Sequence, residues 1–445
     1  MKLSLLEILE ATGGGEVGGT QVGNAFSTFH TDSREVKQGG VFFALRGAEM
    51  DGHRFVGDAI KRGAAAVVIE RRADVPTGIA AIRVPNTWEA LYALASYTLG
   101  HVSPLVVAVT GSNGKTSTKE MVAAILSRRF NVMHTAGNLN TETGVPLTML
   151  AMEPHHTALV LEMGMQHPGD IARLVALARP SVGVITNIGT VHMEFFKSRE
   201  ELARSKGELV AGLPEKGIAV LNADDQFFPL LVAMTEARVT SFGMDTGDFR
   251  AEGYRPLAGG GSQFSVRGIE VRLALEGRHQ ALNALAALAV GATEGVPLQQ
   301  GAEALEEVAV EHRLQDLPTA MGYSIVDDTY NASPESMIAA FEALAETPRQ
   351  GRLLAVLGQM GELGALAEES HRRVGRRAAE IFDAVCVVDG DRARILAEAA
   401  GAELVPDRPA AVDWVRMNAR EGDRVLIKAS HGIHLDEVVR ELTRS

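Results

Sequence analysis

With 445 residues and a net charge of −13 (43 Lys and Arg against 56 Asp and Glu), the chain is too long for one compact core and too acidic for broad, sequence-independent binding to nucleic acid. Apolar residues at 46% and charged residues at 22% exclude a wholly disordered chain. No apolar run reaches the roughly 18 residues of a membrane span, and the opening MKLSLLEILEATGGG is too short and too acidic for a signal peptide, so a cytoplasmic protein is expected.

Short apolar runs alternate with helical patterns almost throughout, which predicts an α/β protein with mostly parallel sheets. In the first region 41–45, 65–69 and 80–84 read as strands and 55–62 as a helix. Val84-Pro85-Asn86-Thr87 marks a boundary, and a helix over 88–99 follows, capped by Asn86 or Thr87. The second region opens with a strand at 105–110, a Gly-rich turn and a helix at 120–129, then strands at 158–162, 182–187 and 217–221. Gly259-Gly260-Gly261-Ser262 predicts a turn, 263–275 an alternating strand segment, and 283–290 a long Ala- and Leu-rich helix. From Tyr323 onward, strands at 324–326, 353–357, 384–388 and 424–428 predict a small doubly wound, Rossmann-like domain. The expected division is therefore 1–84, 85–313 and 314–445. The single cysteine, Cys386, sits among valines and reads as a buried strand residue; Trp88 and Trp414 read as helix-face packing.

The strongest local signal is Thr110-Gly111-Ser112-Asn113-Gly114-Lys115-Thr116-Ser117 between a strand and a helix. Small residues let backbone N–H groups approach phosphates, and the helix N-terminus adds partial positive charge. Lys115 would reach the β and γ phosphates, and the Thr116 hydroxyl would ligate Mg²⁺. Glu162 ends the run ALVLE, and His192 follows the strand at 182–187. Carboxyl ends of parallel strands converge on the ligand crevice, so both are candidate metal ligands or water-positioning groups.

TGSNGKTSTKEM (110–121), GNLNTETGVP (137–146), EMGMQHPGDI (162–171), TNIGTVHMEFF (186–196), NADDQ (222–226) and GRHQALNALAA (277–287) occur in the order found in the Mur ligases, and the chain resembles that family over essentially its whole length. DDTYNASPESM (327–337) and LGQMGELG (357–364) are similar to the family member that joins D-alanyl-D-alanine to a UDP-N-acetylmuramoyl-tripeptide. The member adding the third amino acid, a folylpolyglutamate synthase relative, and a nucleotide-gated binding protein without catalysis are the alternatives. Two positions depart from the subfamily: His431 in KASHG stands where arginine is usual, and Ser333 where asparagine is usual.

The resemblance implies a small N-terminal UDP-binding domain, a central ATP-binding domain and a C-terminal ligase domain, acting as a monomer with ATP and two Mg²⁺ sites. It implies that Gly111 to Ser117 and Asn283, Arg313 and Asp328 bind ATP. Lys115, Glu162, His192 and Lys206 would be catalytic, with Thr116, Glu162, His192 and a carboxylated Lys206 as metal ligands. It further implies that Ser33, Arg34 and Arg46 (with Gly47, Asp51, Gly52 and His53 nearby) contact the uridine diphosphate, and that Asn138, Tyr330 and Asn331 contact the reacting ends. His279, one turn before Asn283, shares its helix face.

Overall fold

The computed structural model describes residues 1–16, 25–47, 50–258 and 260–444. It contains two compact units. One comprises Met1–Ala108, Phe130–Met165 and Asp170–Ser181; the other comprises Val109–Arg129, Gln166–Gly169 and Val182–Ser445.

The first unit holds a sheet ordered Gly15–Glu16, Ala80–Arg83, Ala66–Ile69, Val41–Phe43, Phe29–His30, parallel except at the Gly15–Glu16 edge. Continuously apolar runs such as VFF and AVVI are buried at every position, as strands covered on both faces require. The helix expected over 55–62 divides into a 3-10 turn, Gly52–Phe55, and a short α-helix, Val56–Lys61, because the Asp51 carboxylate caps the turn through the His53 N–H. Asn86 caps the helix Thr87–Val102, its side chain accepting from the Trp88 and Glu89 N–H groups. Strands Ala158–Glu162 and Val132–His134 pair in parallel in the same unit.

In the second unit Val182–Ile185, Ile218–Asn222, Arg238–Gly243 and Phe249–Arg250 form a parallel array. The segment expected as one alternating strand over 263–275 is a hairpin, Ser262–Val266 against Ile269–Leu273. Arg267 and Gly268 between them both have positive φ (50° and 79°), the signature of a tight two-residue turn. Of the turn expected at 259–262, Gly259 lies outside the described residues. The helix after the Gly-rich loop starts at Lys115, not 120, and ends at Leu126; the Ala-rich helix spans Arg278–Thr293 and is buried on almost all sides.

A six-stranded sheet in the same unit is ordered Gln315–Pro318, Ser324–Asp327, Arg424–Lys428, Leu353–Leu357, Ala384–Val388, Glu403–Val405, parallel except at the first pair. Met337, Phe341, Val374 and Leu396 pack helices on one face, and Val412, Val415, Val438 and Val439 pack helices on the other. This is the expected doubly wound arrangement. The late strand Arg424–Lys428 inserts between Ser324–Asp327 and Leu353–Leu357, so a ligand crevice opens at the carboxyl ends of these three. Cys386 is fully buried in its strand, and burial pushes its thiol up to about 12.

Candidate active site

Gly111 and Gly114 have φ of 151° and 80°. A Cβ on Gly111 would lie 1.9 Å from Thr186 Oγ1, and one on Gly114 would lie 2.3 Å from Asn283 Oδ1. Both positions demand glycine, and the demand comes from residues brought in by distant segments. The loop is braced from 186–189: Ser112 N–H donates to Asn187 O (2.9 Å), Asn113 N–H to Asn187 Oδ1 (3.0 Å), and Gly189 N–H to Ser112 Oγ (2.8 Å). Asn222 and Asp225 hold that brace in turn, Asn222 Nδ2 donating to Thr186 O and Asp225 Oδ2 accepting from Ile188 N–H.

Lys115 Nζ donates to Gly111 O (2.9 Å) and Ser112 O (3.1 Å). Lys206, fully buried on the helix Arg199–Ala211, donates to the same Gly111 oxygen at 3.1 Å. Burial first, and then Lys115 beside it, hold the Lys206 ammonium well below the usual lysine range. Thr116 Oγ1 lies 3.5 Å from Arg313 Nη2, and the Arg313 guanidinium stacks over Tyr330 at 4.0 Å.

A cavity of about 260 Å³ opens beside the loop. Asn113, Asn283, Arg313, Asp328 and Lys428 line it, with His279 and Glu335 on its wall. Asp328 and Lys428 are buried and ion-paired at 2.6 Å; burial pushes the carboxyl up and the ammonium down, against their mutual attraction. Lys428 Nζ also donates to Asn331 O (2.9 Å), so Asp328, Asn331 and Lys428 form one cluster at the crevice mouth. His279 is pushed down to about 4, by burial first and then by Lys428 and Arg313, so its imidazole is neutral near pH 7. Ser333 Oγ caps the helix Pro334–Glu346 and reaches Asn113 Oδ1 at 3.0 Å.

His192 has φ 65°, and its Nδ1 lies 2.6 Å from Glu362 Oε2. The His192 imidazole beside it holds the Glu362 carboxyl below the usual range. Sequence reasoning missed Glu362, although it quoted the LGQMGELG segment. It also missed Lys428, the first residue of the quoted KASHG segment and a lysine closing an apolar strand in a chain with few lysines.

Glu162, Asn138, Ser33, Arg34 and Arg46 belong to the first unit. Glu162 is buried; Oε1 accepts from Asn140 Nδ2 at 2.7 Å, while Oε2 has no hydrogen-bond partner. Asn138 is exposed and contributes its carbonyl to the Asn140 N–H, so Asn140 is the residue of GNLN that reaches Glu162. Arg34 is exposed and bidentate to Asp32; Ser33 is buried. His53 donates from Nδ1 to Asp51 (2.7 Å) and accepts the Glu70 N–H at Nε2 (2.9 Å). Trp88, expected only to pack, donates its indole N–H to Arg46 O at 3.0 Å and so fixes the ALRG turn.

Among the described residues no three His, Cys, Asp or Glu side chains gather as a metal cluster. Of the residues expected as metal ligands, the Thr116 hydroxyl and the Glu162 carboxylate, one of whose oxygens is buried without a hydrogen-bond partner, are oxygen donors of the kind Mg²⁺ takes, whereas His192 and unmodified Lys206 offer nitrogen.

A glycine-dependent phosphate loop, a lysine at its helix start and a flanking cavity lined from a second parallel sheet define a nucleotide-binding enzyme of the phosphate-loop class. Residues 26–139 match the Mur ligase family catalytic domain, 109–291 the Mur ligase middle domain, and 312–431 the Mur ligase glutamate ligase domain. UDP-N-acetylmuramoyl-tripeptide–D-alanyl-D-alanine ligases of Bacillus subtilis and Escherichia coli are each 37% identical, over 93% of this chain and 93% and 92% of theirs. Among solved structures, MurF from Acinetobacter baumannii is similar with a TM-score of 0.90 at 30% identity, covering 100% of this chain and 99% of that one. MurF ligase from Thermotoga maritima in complex with ADP is similar at 0.83 and 33%, covering 94% and 97%. The chain belongs to the Mur ligase family.

Proposed function

We propose that this chain joins D-alanyl-D-alanine to the C-terminal carboxylate of UDP-N-acetylmuramoyl-tripeptide, converting ATP to ADP and phosphate. The observation that carries the reading is the cavity where Asn113, Gly114 and Asn283 face Asp328 and Lys428, in a chain 37% identical along 93% of its length to ligases of that name.

A carboxylate oxygen of the tripeptide attacks the γ-phosphorus; an O–P bond forms and the bond to the β-phosphate oxygen breaks, giving an acyl phosphate and ADP. The amine of D-alanyl-D-alanine then adds to the acyl carbon, loses a proton, and the tetrahedral intermediate expels phosphate. Little covalent chemistry falls to the protein, so the work is positioning and charge neutralisation. Lys115 and the Gly111–Ser117 backbone take the phosphates, Asn283 and Asp328 take the nucleoside, and Arg313 meets the phosphates from the start of the third region. Tyr330 and Asn331 shape the crevice where the acyl end arrives. Asn138 is assigned to the acyl end, and Ser33, Arg34 and Arg46 to the uridine diphosphate. Regions 1–84, 85–313 and 314–445 are read as UDP-substrate, ATP and amine domains of a cytoplasmic enzyme.

Thr116 and Glu162 would hold Mg²⁺ through oxygen and His192 through an imidazole nitrogen; the bound ion would offset the repulsion between γ-phosphate and carboxylate. Lys206 is read as carboxylated: burial disfavours its charged form, and the deprotonated amine adds to CO₂, forming a C–N bond and releasing one proton, to give a long-armed carboxylate. The reading is tested by coupled phosphate release with UDP-N-acetylmuramoyl-tripeptide and ATP. Release should depend on D-alanyl-D-alanine; release only with glutamate, lysine or diaminopimelate on a shorter UDP-substrate overturns it.

A further inference from the structure

The helix Ala367–Ile381 carries a fully buried histidine, His371, to which the mechanism assigns nothing. Both ring nitrogens are engaged: Nδ1 donates to Ala367 O at 2.6 Å, and Nε2 accepts the Met360 N–H at 3.0 Å. This fixes one neutral tautomer, and burial, the largest influence on the ring, disfavours its charged form. The bond to Met360 matters because Met360 sits in the loop 358–364, two residues before Glu362. Ser430 holds the same loop from its other side, its N–H donating to Gln359 O (3.1 Å) and its Oγ accepting the Gly361 N–H (2.8 Å). Between these anchors Met360 and Leu363 are buried, and Glu362 takes φ 58°, a strained conformation for a residue with a Cβ that persists only where its surroundings impose it. The result of that conformation is the 2.6 Å contact from Glu362 to His192.

We propose that His371 is a positioning residue for the ligase reaction: by clamping Met360 it holds the strained Glu362 against His192. The inference deepens the proposed function, since it depends on His192 acting in that reaction. His371 does not itself line the nucleotide cavity, and its ring hydrogen bonds go to Ala367 and Met360, so its influence passes through the loop. Leucine at 371 removes both hydrogen bonds at similar volume, whereas glutamine can accept the Met360 N–H and donate to Ala367 O.

The test is a double-mutant cycle of His371→Leu and Glu362→Gln in the full chain, read as kcat and KM for each substrate. His371→Leu should lower kcat about tenfold with nucleotide KM unchanged, His371→Gln should recover most of the loss, and the leucine change should have no further effect in the Glu362→Gln background. Effects that multiply, or a melting-temperature loss with unchanged kcat, overturn the proposal. If the leucine variant does not fold, Ser430→Ala releases the loop from its other side and enters the same cycle. A second readout is independent of turnover: with isotopically labelled histidine, the His192 ring nitrogen resonances of His371→Leu should move to those of Glu362→Gln. Unmoved resonances overturn the proposal whichever amine the wild type ligates. Wild-type phosphate release that ignores D-alanyl-D-alanine, with the resonances shifted as expected, refutes the assigned reaction instead.

Discussion

Lys115 and Lys206 donate to one carbonyl oxygen, that of Gly111, at 2.9 and 3.1 Å. Two ammonium groups sharing a single acceptor repel, and the fully buried one yields its proton first. Of the pair, Lys206 is accordingly the amine to which the proposed reaction with CO₂ is assigned. Lys206→Ala should lose about a hundredfold or more in kcat, with partial recovery in acetate or formate. Labelled bicarbonate should give a carbamate carbon resonance in the wild type that the alanine variant lacks. A variant with near-normal turnover would sink the carboxylation reading.

His279 makes stability depend on acid in a defined window. Its folded-state value of about 4 lies below the ordinary 6.5, so between these the unfolded chain binds the extra proton. The contribution is fully present above pH 6.5 and is lost as pH falls toward 4. Discounted for the residual exposure of the ring on the cavity wall, this amounts to about 2 kcal/mol. Urea midpoints measured from pH 7 to 4 should fall more steeply for the wild type than for His279→Asn.

Arg424 is a buried cation between Glu276 (2.7 Å) and Asp316 (2.6 Å). Its value is raised because those two carboxylates outweigh desolvation. Arg424→Met would leave Glu276, itself buried, without its charge partner, at a cost of roughly 3–5 kcal/mol. Thermal unfolding should show a drop of several degrees, and replacing Glu276 as well should recover part of it.

Gly114→Ala places a methyl group 2.3 Å from Asn283 Oδ1 in a residue with φ 80°. The loop must shift, so ADP affinity measured by calorimetry should fall at least about tenfold. Binding of the UDP-substrate alone should stay as in the wild type.

Trp88→Phe removes the indole N–H that holds Arg46 O but keeps an aromatic ring against Tyr92. A loss of about 1 kcal/mol at that turn corresponds to roughly a fivefold rise in KM for the UDP-substrate. The ATP KM should not move.

Much of this architecture is legible in the chain because the parallel strands are apolar through their interior: VGVI, LLAVL, AVCVV and the VLI within RVLIK were all readable as runs. The phosphate loop was legible for a different reason, since its glycines, lysine and threonine are fixed by the chemistry of binding phosphate. The hairpin at 262–273 was hidden because its alternation continues across Arg267-Gly268. The edge strand Gln315–Pro318 was hidden by its proline, tolerable only where no inner neighbour needs its N–H. Glu362, Lys428 and Asn140 were missed because their roles come from partners remote in sequence: His192, Asp328 and Glu162. Trp88 packs against Tyr92 as expected, but its additional bond to Arg46 O was not legible for the same reason, Arg46 lying in another element.

Cys386 has a consequence for anyone labelling this protein. The chain has one thiol, sealed in a strand with its ionisation pushed up to about 12, so almost no thiolate forms at neutral pH. Maleimides and disulfide reagents should pass it by while the fold is intact. A cysteine introduced on the surface can therefore carry a fluorophore or spin probe without first removing the native one. Conversely, the rate at which Cys386 becomes reactive in denaturant or on heating gives a built-in clock for unfolding of the C-terminal sheet.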